Sequence, residues 1–342
     1  MLVAYDDRLT AHLAGLGHPE QPDRVLVVAR ELARRGMLEE RIDTVVARPD
    51  QLARVHSPQY VDLVRRECVR LEWVQSGVLS TGDTTIDAGS FEAAARAAGG
   101  TLAALDRVCI ERRAAFALIR PPGHHAEPAR GMGFCVFNNA ALAARTFNLE
   151  MGGNVLIADI DYHHGNGTQA FVDIMGSRLS YVSTHASPAY PGTGNPRHNR
   201  FGRDSTLVNV PLPASGVAAE AFVAIWTQAL RDAARRTQPK LLVVSAGYDF
   251  VAGDPVGDLG IAVSAVRHLG RIVREIATEY CDGRALFVLE GGYEPELLAT
   301  CVVETILGFE DDKNVDGADD AAVPARQRTI LNDLRTAART QA

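Results

Sequence analysis

Five short apolar runs constrain this chain more than any other feature: AAFALI (114–119), NVLIADI (154–160), LSYVST (179–184), KLLVVSA (240–246) and ALFVLE (285–290). Runs of this length without polar alternation suit strands covered on both faces. The later runs are separated by longer stretches, 218–237 and 262–280, with apolar residues at helical spacing. SFEAAARAAGG (90–100) also reads as helix. Strand–helix alternation predicts a doubly wound, mostly parallel α/β sheet. At 342 residues, 46% hydrophobic and 23% charged, the chain fits one α/β domain, residues 1–342. No linker precedes about residue 310 and no internal repeat is present. The segment 310–327 is polar and rich in Gly and Asp, and reads as a surface loop or disordered stretch before a last helix over 328–340.

Charge and cysteine usage exclude several classes. A net charge of −7 lacks the basic footprint of a nucleic-acid binder. No apolar run approaches the roughly 20 residues of a membrane-spanning helix. The N-terminus reaches acidic residues by position 6, without the basic start and apolar core of a signal peptide. Five scattered cysteines, odd in number and without a CxxC, read as reduced thiols. The expectation is a cytoplasmic protein with no membrane or nucleic-acid partner. A homo-oligomer stays open, as does a partner-assembly role for the acidic tail after residue 309.

Four of the runs end in polar clusters. AAFALI runs into RPPGHHAEP, NVLIADI into DYHHGNG, LLVVSA into GYDFVAGDP and ALFVLE into GGYEPE. In parallel α/β sheets, ligands bind outside the carboxyl ends of strands, so these clusters are expected to converge. Asp161, His163 and Asp249 then offer two oxygens and one nitrogen, the usual donor set of a catalytic divalent metal with an open position. In an extended Asp-x-His pair, Asp161 and His163 point to the same side. His124 and His125 follow a rigid PPG turn and suit proton transfer near neutral pH. Asp159 and Asn166 are the candidates to fix their tautomers, one ionic and one neutral. Tyr293, after a flexible GG pair, can place a phenol opposite the metal and stabilise an oxyanion. Taken singly, each has a bland reading: a local cap, a turn histidine, a core-edge tyrosine. Taken together they predict a one-metal hydrolase acting on a carbonyl, an amide first of all. No G-x-S-x-G elbow is present, which argues against acyl-enzyme chemistry.

RPPGHHAEPARGMGFCVFNNAALAA, DIDYHHGNGTQ, SAGYDFVAGDP and EGGY resemble the histone deacetylase and acetylpolyamine amidohydrolase superfamily, with PPGHHA and HHGNG most like class II enzymes and their bacterial relatives. HPEQPDR (18–24) and RVHSPQY (54–60) fit its N-terminal segment, and the resemblance spans about residues 3–308. It implies an arginase-type α/β fold with a central eight-stranded parallel sheet flanked by helices. It also implies Zn²⁺, or Fe²⁺, on Asp161, His163 and Asp249. His125 matches the general base and acid, paired with Asn166; His124 matches its electrostatic partner, paired with Asp159; Tyr293 matches the carbonyl-polarising tyrosine. Gly133, Phe134 and Tyr190 match the acyl channel. A structural K⁺ is implied on Asp159, Asp161, His163, Ser183 and Thr184.

Relatives that hold two Mn²⁺ need carboxylates two residues after His163 and after Asp249, where this chain has Gly165 and Val251. Ureohydrolase chemistry is therefore not expected. Polyamine-preferring relatives carry an acid after GDP, where this chain has Val256. Asp83 and Asp258 are candidates for that role or for binding substrate N–H groups. The reading is a Zn-dependent amidohydrolase that removes acetyl or other acyl groups from an amine, acyl-lysine first, by attack of metal-activated water. Acetylpolyamines or small acyl-amides come second. The alternative from another class is a non-catalytic acyl-amide binding module. It predicts the loss of a ligand, a histidine or the tyrosine, and none is missing.

Overall fold

A computed structural model describes residues 1–311 and 323–340. Its strands are β1 (Leu2–Ala4), β2 (Arg41–Ile42), β3 (Gly77–Val78), β4 (Thr85–Ile86), β5 (Ala115–Ala117), β6 (Val155–Asp159), β7 (Leu179–Ser187), β8 (Arg200–Phe201), β9 (Thr206–Pro213), β10 (Leu241–Ala246) and β11 (Ala285–Leu289). Its α-helices are α1 (Asp23–Arg34), α2 (Pro49–Leu52), α3 (Pro58–Arg70), α4 (Ser90–Glu111), α5 (Asn139–Met151), α6 (Asn166–Met175), α7 (Ala219–Thr237), α8 (Ser264–Tyr280), α9 (Pro295–Glu310) and α10 (Ala325–Thr340). The last helix starts three residues before the expected 328. Of the polar segment expected over 310–327, residues 312–322 lie outside the described residues.

One sheet has nine strands in the order β2-β1-β5-β11-β10-β6-β7-β9-β8, and a separate antiparallel pair joins β3 to β4. Every neighbour pair in the large sheet is parallel except β8 with β9. The expected eight parallel strands are therefore present, with one short antiparallel strand added at the edge.

Alternation along each central strand feeds two cores. Leu156 and Ala158 of β6, Leu242 and Val244 of β10, and Ala285 and Phe287 of β11 face one, together with buried residues of α1, α7, α8 and α9. Val155 and Ile157, Leu241 and Val243, and Leu286 and Val288 face the other, with α3, α4 and α5. Both faces are dry, which is why these strands read as unbroken apolar runs. The covering helices show the matching stripe: Ala265, Val266, Leu269, Ile272, Val273 and Ile276 of α8 are buried at spacings of three and four. These layers make a single α/β domain.

The strands β5, β11, β10 and β6 are consecutive neighbours in the middle of the sheet. They are the four whose runs end in polar clusters. The register places Ser245 of β10 beside Asp159 of β6, and Ala246 beside Leu289 of β11. All four polar loops therefore leave the sheet side by side. All five cysteines are unpaired. Among the described residues, no helix is long and apolar enough to cross a membrane.

Candidate active site

The loop after β6 turns Asp161 and His163 toward Asp249 from the loop after β10. Their ligand atoms all lie within 4.8 Å of one another. His163 Nδ1 stands 3.2 Å from Asp161 Oδ1 and 2.9 Å from Asp249 Oδ2. Asp161 and Asp249 are fully buried, and His163 Nδ1 bridges the two carboxylates. Burial and the nearby Asp161 carboxylate push the Asp249 pKa up to about 7. Burial opposes charge on His163, but Asp161 and Asp249 outweigh it and push its pKa up to about 10. The cluster thus favours a positive charge at its centre. The backbone leaves room for it: a Cβ at Gly291 would meet Asp249 Oδ2 at 2.6 Å and Asp161 Oδ2 at 2.7 Å. Two fully buried carboxylates and an imidazole converging in a glycine-lined hollow fit a divalent metal.

The two histidines after β5 differ in their partners. His124 Nδ1 lies 3.2 Å from Asp159 Oδ2, and His124 Nε2 lies 3.8 Å from Asp161 Oδ1. Burial works against its charge, yet Asp161 and Asp159 prevail and push its pKa up to about 10. His125 Nδ1 lies 2.8 Å from Asn166 Oδ1. Burial, then the charges of His124 and His163, hold its pKa well below the ordinary 6.5. The pairing implied by the family resemblance is the pairing found.

Glu290, the last residue before the GG pair, holds the histidine loop. Its Oε2 accepts from Gly123 N at 2.7 Å and His124 N at 3.0 Å. His124, Cys135 and Glu290 form a second group of potential ligand atoms. It is already committed: Glu290 accepts those backbone bonds and one from Ser245 Oγ, and burial keeps Cys135 a thiol.

A cavity of about 370 Å³ opens beside the cluster of Asp161, His163 and Asp249, lined by Asp83, His125, Gly133, Phe134, His163, Tyr190, Val256 and Tyr293. Phe134 packs edge-on between His18 and Tyr293, at centroid distances of 4.7 and 5.7 Å. Burial raises the Tyr293 phenol well above its ordinary pKa, so it keeps its proton and remains a donor. Asp83 ties the rim together: it accepts from Gly133 N at 2.8 Å and from Tyr190 Oη at 3.0 Å. Asp258 instead caps its own loop through Gly253 N and Gly260 N, and is not part of the cavity lining. Asp159 and Ser183 are register partners on β6 and β7. The Ser183 hydroxyl lies 2.9 Å from His185 Nδ1, while Thr184 Oγ1 is buried without a partner.

Several supporting residues were not singled out by sequence. Arg24 donates to Gly292 O at 2.5 Å and to Glu290 O, gripping the turn that carries Tyr293, and its guanidinium sits 4.8 Å from the Tyr293 ring centroid. Asp254 Oδ2 accepts from Tyr293 N at 2.6 Å. His185 Nε2 lies 3.1 Å from Gly194 O, and His164 Nδ1 lies 2.7 Å from Thr193 Oγ1, which secures the loop bearing Tyr190. HPEQPDR contained Arg24 as a motif member, but nothing in the sequence named its carbonyl partners.

Known proteins resemble this chain in sequence and in fold. The histone deacetylase domain model matches residues 18–309. A probable deacetylase of Archaeoglobus fulgidus is 33% identical over 300 residues, covering 86% of this chain and 81% of that one. The chloroplastic histone deacetylase 10 of Oryza sativa subsp. japonica is 35% identical over 312 residues, covering 85% of this chain and 69% of its own. The crystal structure of the HDA15 HD domain superposes with a TM-score of 0.85 at 28% identity, covering 98% of this chain and 94% of that chain. The chain belongs to the histone deacetylase family and is a deacetylase.

Proposed function

We propose that the protein hydrolyses the amide of an acylated lysine side chain, with one divalent cation held by Asp161, His163 and Asp249. The observation that carries this reading is the meeting of His125, His163 and Tyr293 on the wall of one cavity. Two carboxylates and an imidazole suit Zn²⁺ or Fe²⁺. When bound, such a cation supplies Lewis acidity toward water and toward a carbonyl oxygen.

The chain's own groups do the rest. With Nδ1–H committed to Asn166, His125 keeps Nε2 free to take a proton from water and return it to the leaving amine. His124, held cationic beside Asp159 and Asp161, contributes fixed positive charge to an anionic transition state. Tyr293 donates a hydrogen bond to the developing oxyanion. Phe134 and Tyr190 provide aromatic walls for an unbranched aliphatic stem. Val256 at the rim offers no carboxylate to a second ammonium group, which favours acyl-lysine over acetylpolyamine. The support for K⁺ on Asp159, Asp161, His163, Ser183 and Thr184 is the Asp159–Ser183 register pair and the unpartnered Thr184 hydroxyl.

The test is a side-by-side assay of metal-loaded protein on acetyl-lysine peptides, longer acyl-lysine peptides and acetylated polyamines. Acetyl-lysine peptide is expected to show the highest kcat/KM. Faster turnover of an acetylated polyamine would overturn the substrate assignment.

A further inference from the structure

Resting on the reading of His125 as proton acceptor, the structure assigns Glu127 as a positioning residue that acts on His125 through Asn166. Asn166 Nδ2 donates to Glu127 Oε1 at 2.7 Å, with Met132 Sδ at 3.3 Å. The other end of the same amide, Oδ1, lies 2.8 Å from His125 Nδ1. An amide has one donor end and one acceptor end, whereas an ionised carboxylate only accepts. Glu127 therefore dictates which end of Asn166 faces the histidine. With Oδ1 facing it, His125 Nδ1 must carry the ring proton and Nε2 keeps its lone pair. Turned round, the amide would offer N–H to Nδ1, move the ring proton to Nε2 and remove the proton acceptor.

A carboxylate at position 166 would impose this tautomer by itself. A neutral asparagine has no such direction, and Glu127 supplies it from 39 residues away. Glu127 is itself fixed in place. Its backbone N–H donates to Arg130 O at 2.9 Å, and its carbonyl lies 3.1 Å from His56 Nδ1. The other nitrogen of His56 accepts from Asn138 N at 2.8 Å. The relay thus ends on a helix cap: the Asn138 side chain accepts from Ala141 N at the start of α5.

The experiment compares metal-loaded Glu127→Ala and Glu127→Gln with the parent, each alone and combined with Asn166→Asp. Steady-state kinetics on acetyl-lysine peptide give kcat and KM. Nitrogen-15 NMR of histidine-labelled protein reports which nitrogen of His125 bears the proton. Glu127→Ala is expected to lower kcat by about 10- to 100-fold with KM unchanged, and to populate the Nε2–H tautomer. Glu127→Gln, which still accepts through its carbonyl, falls less and guards against a folding defect in the alanine variant. Asn166→Asp in the Glu127→Ala background restores most of kcat and the Nδ1–H tautomer, because a carboxylate accepts in either orientation. The inference is overturned if Glu127→Ala keeps the parental kcat and tautomer. It is equally overturned if activity is lost while the tautomer stays put and Asn166→Asp restores nothing. The NMR readout does not depend on turnover, so a parent inert toward acyl-lysine would sink the substrate reading while the ring proton still decides this one.

Discussion

The rings of His124 and His125 stand 4.0 Å apart, centroid to centroid, and their surroundings drive one to the cationic and the other to the neutral form. Carboxylates at Asp159 and Asp161 hold the first protonated, while burial and the neighbouring positive charges keep the second neutral. Groups whose environments push their pKa values apart mark an acid and base assignment.

His125→Ala is therefore expected to lower kcat by about 10²- to 10⁴-fold. Bound metal, measured by atomic absorption, should stay at the parental level, because Asp161, His163 and Asp249 are untouched. The sign of the pH dependence follows from the direction of the shift. A base whose pKa lies below 6.5 stays unprotonated as pH falls through 6.5, so the acid limb of kcat/KM should lie below that value. An His125→Ala protein with near-parental turnover would remove the base from the scheme.

Tyr293 enters the cavity on a turn clamped by Arg24 at Gly292 O and Glu290 O, and by Asp254 at its own N–H. Three such anchors mean that losing the hydroxyl need not move the ring. Tyr293→Phe is expected to reduce kcat by about 10²- to 10³-fold, as for loss of one oxyanion donor, with little change in KM. A rate equal to the parent's would transfer that role to another group.

Metal removal tests the cluster around Asp249 Oδ2. Dialysis against a chelator should abolish turnover, and Zn²⁺ or Fe²⁺ should restore it. Asp249→Asn should lower metal content, since it takes a charge from a set of three donors. Full activity after exhaustive chelation would contradict the metal assignment.

Much of this site was legible because its residues sit at fixed steps from the ends of apolar runs. Asp161 and His163 are two residues apart on one segment, and Asp249 and Tyr293 each follow a buried strand within four residues. The strands next to each edge of the sheet were not legible. Leu2–Ala4 is a three-residue strand with no pattern of its own, buried by pairing with β5 and β2. The run TLVNVPLP interrupts its apolar residues with Asn209 and Pro211, and becomes strand by register with β7. The supporting contacts were hidden for another reason. Glu127 reaches Asn166 across 39 residues and Glu20 reaches Arg120 across 100, and a lone charge carries no periodic signal of its distant partner.

Gly133 shows how little slack the cavity has. Its φ is +56°, and an added Cβ would lie 2.3 Å from His125 Cδ2 and 2.9 Å from Tyr190 Cε1. Both contacts are too close to survive, and the backbone conformation is itself poor for a side chain. Gly133→Ala should therefore displace the base ring and lower kcat by about 10²-fold or more, as for an ångström-scale misplacement. The thermal unfolding midpoint should change far less than it does for a core cavity. Retained activity would show that the loop has room to retreat.

Glu20 joins the two loops that hold the chemistry. It accepts from Arg120 Nε at 2.9 Å and Nη2 at 2.6 Å, and from Arg24 Nη1 at 2.9 Å, with all three side chains fully buried. Arg120 leads directly into the histidine turn, and Arg24 grips the turn of Tyr293. Burial alone would raise the Glu20 pKa, but Arg120 and Arg24 overcome it and hold it down at about 2. A carboxylate whose folded pKa lies below its unfolded value stabilises the fold above the unfolded pKa, near 4.5. That contribution is lost as pH falls from there through about 2. Glu20→Gln leaves two buried guanidinium groups without their counter-charge, which should cost about 3–5 kcal/mol at neutral pH. Urea unfolding of parent and variant should show a gap that is constant above about pH 5 and narrows as the parental carboxylate is protonated. Equal stability of the two proteins at pH 7 would mean that this buried charge cluster contributes nothing to holding the active-site loops.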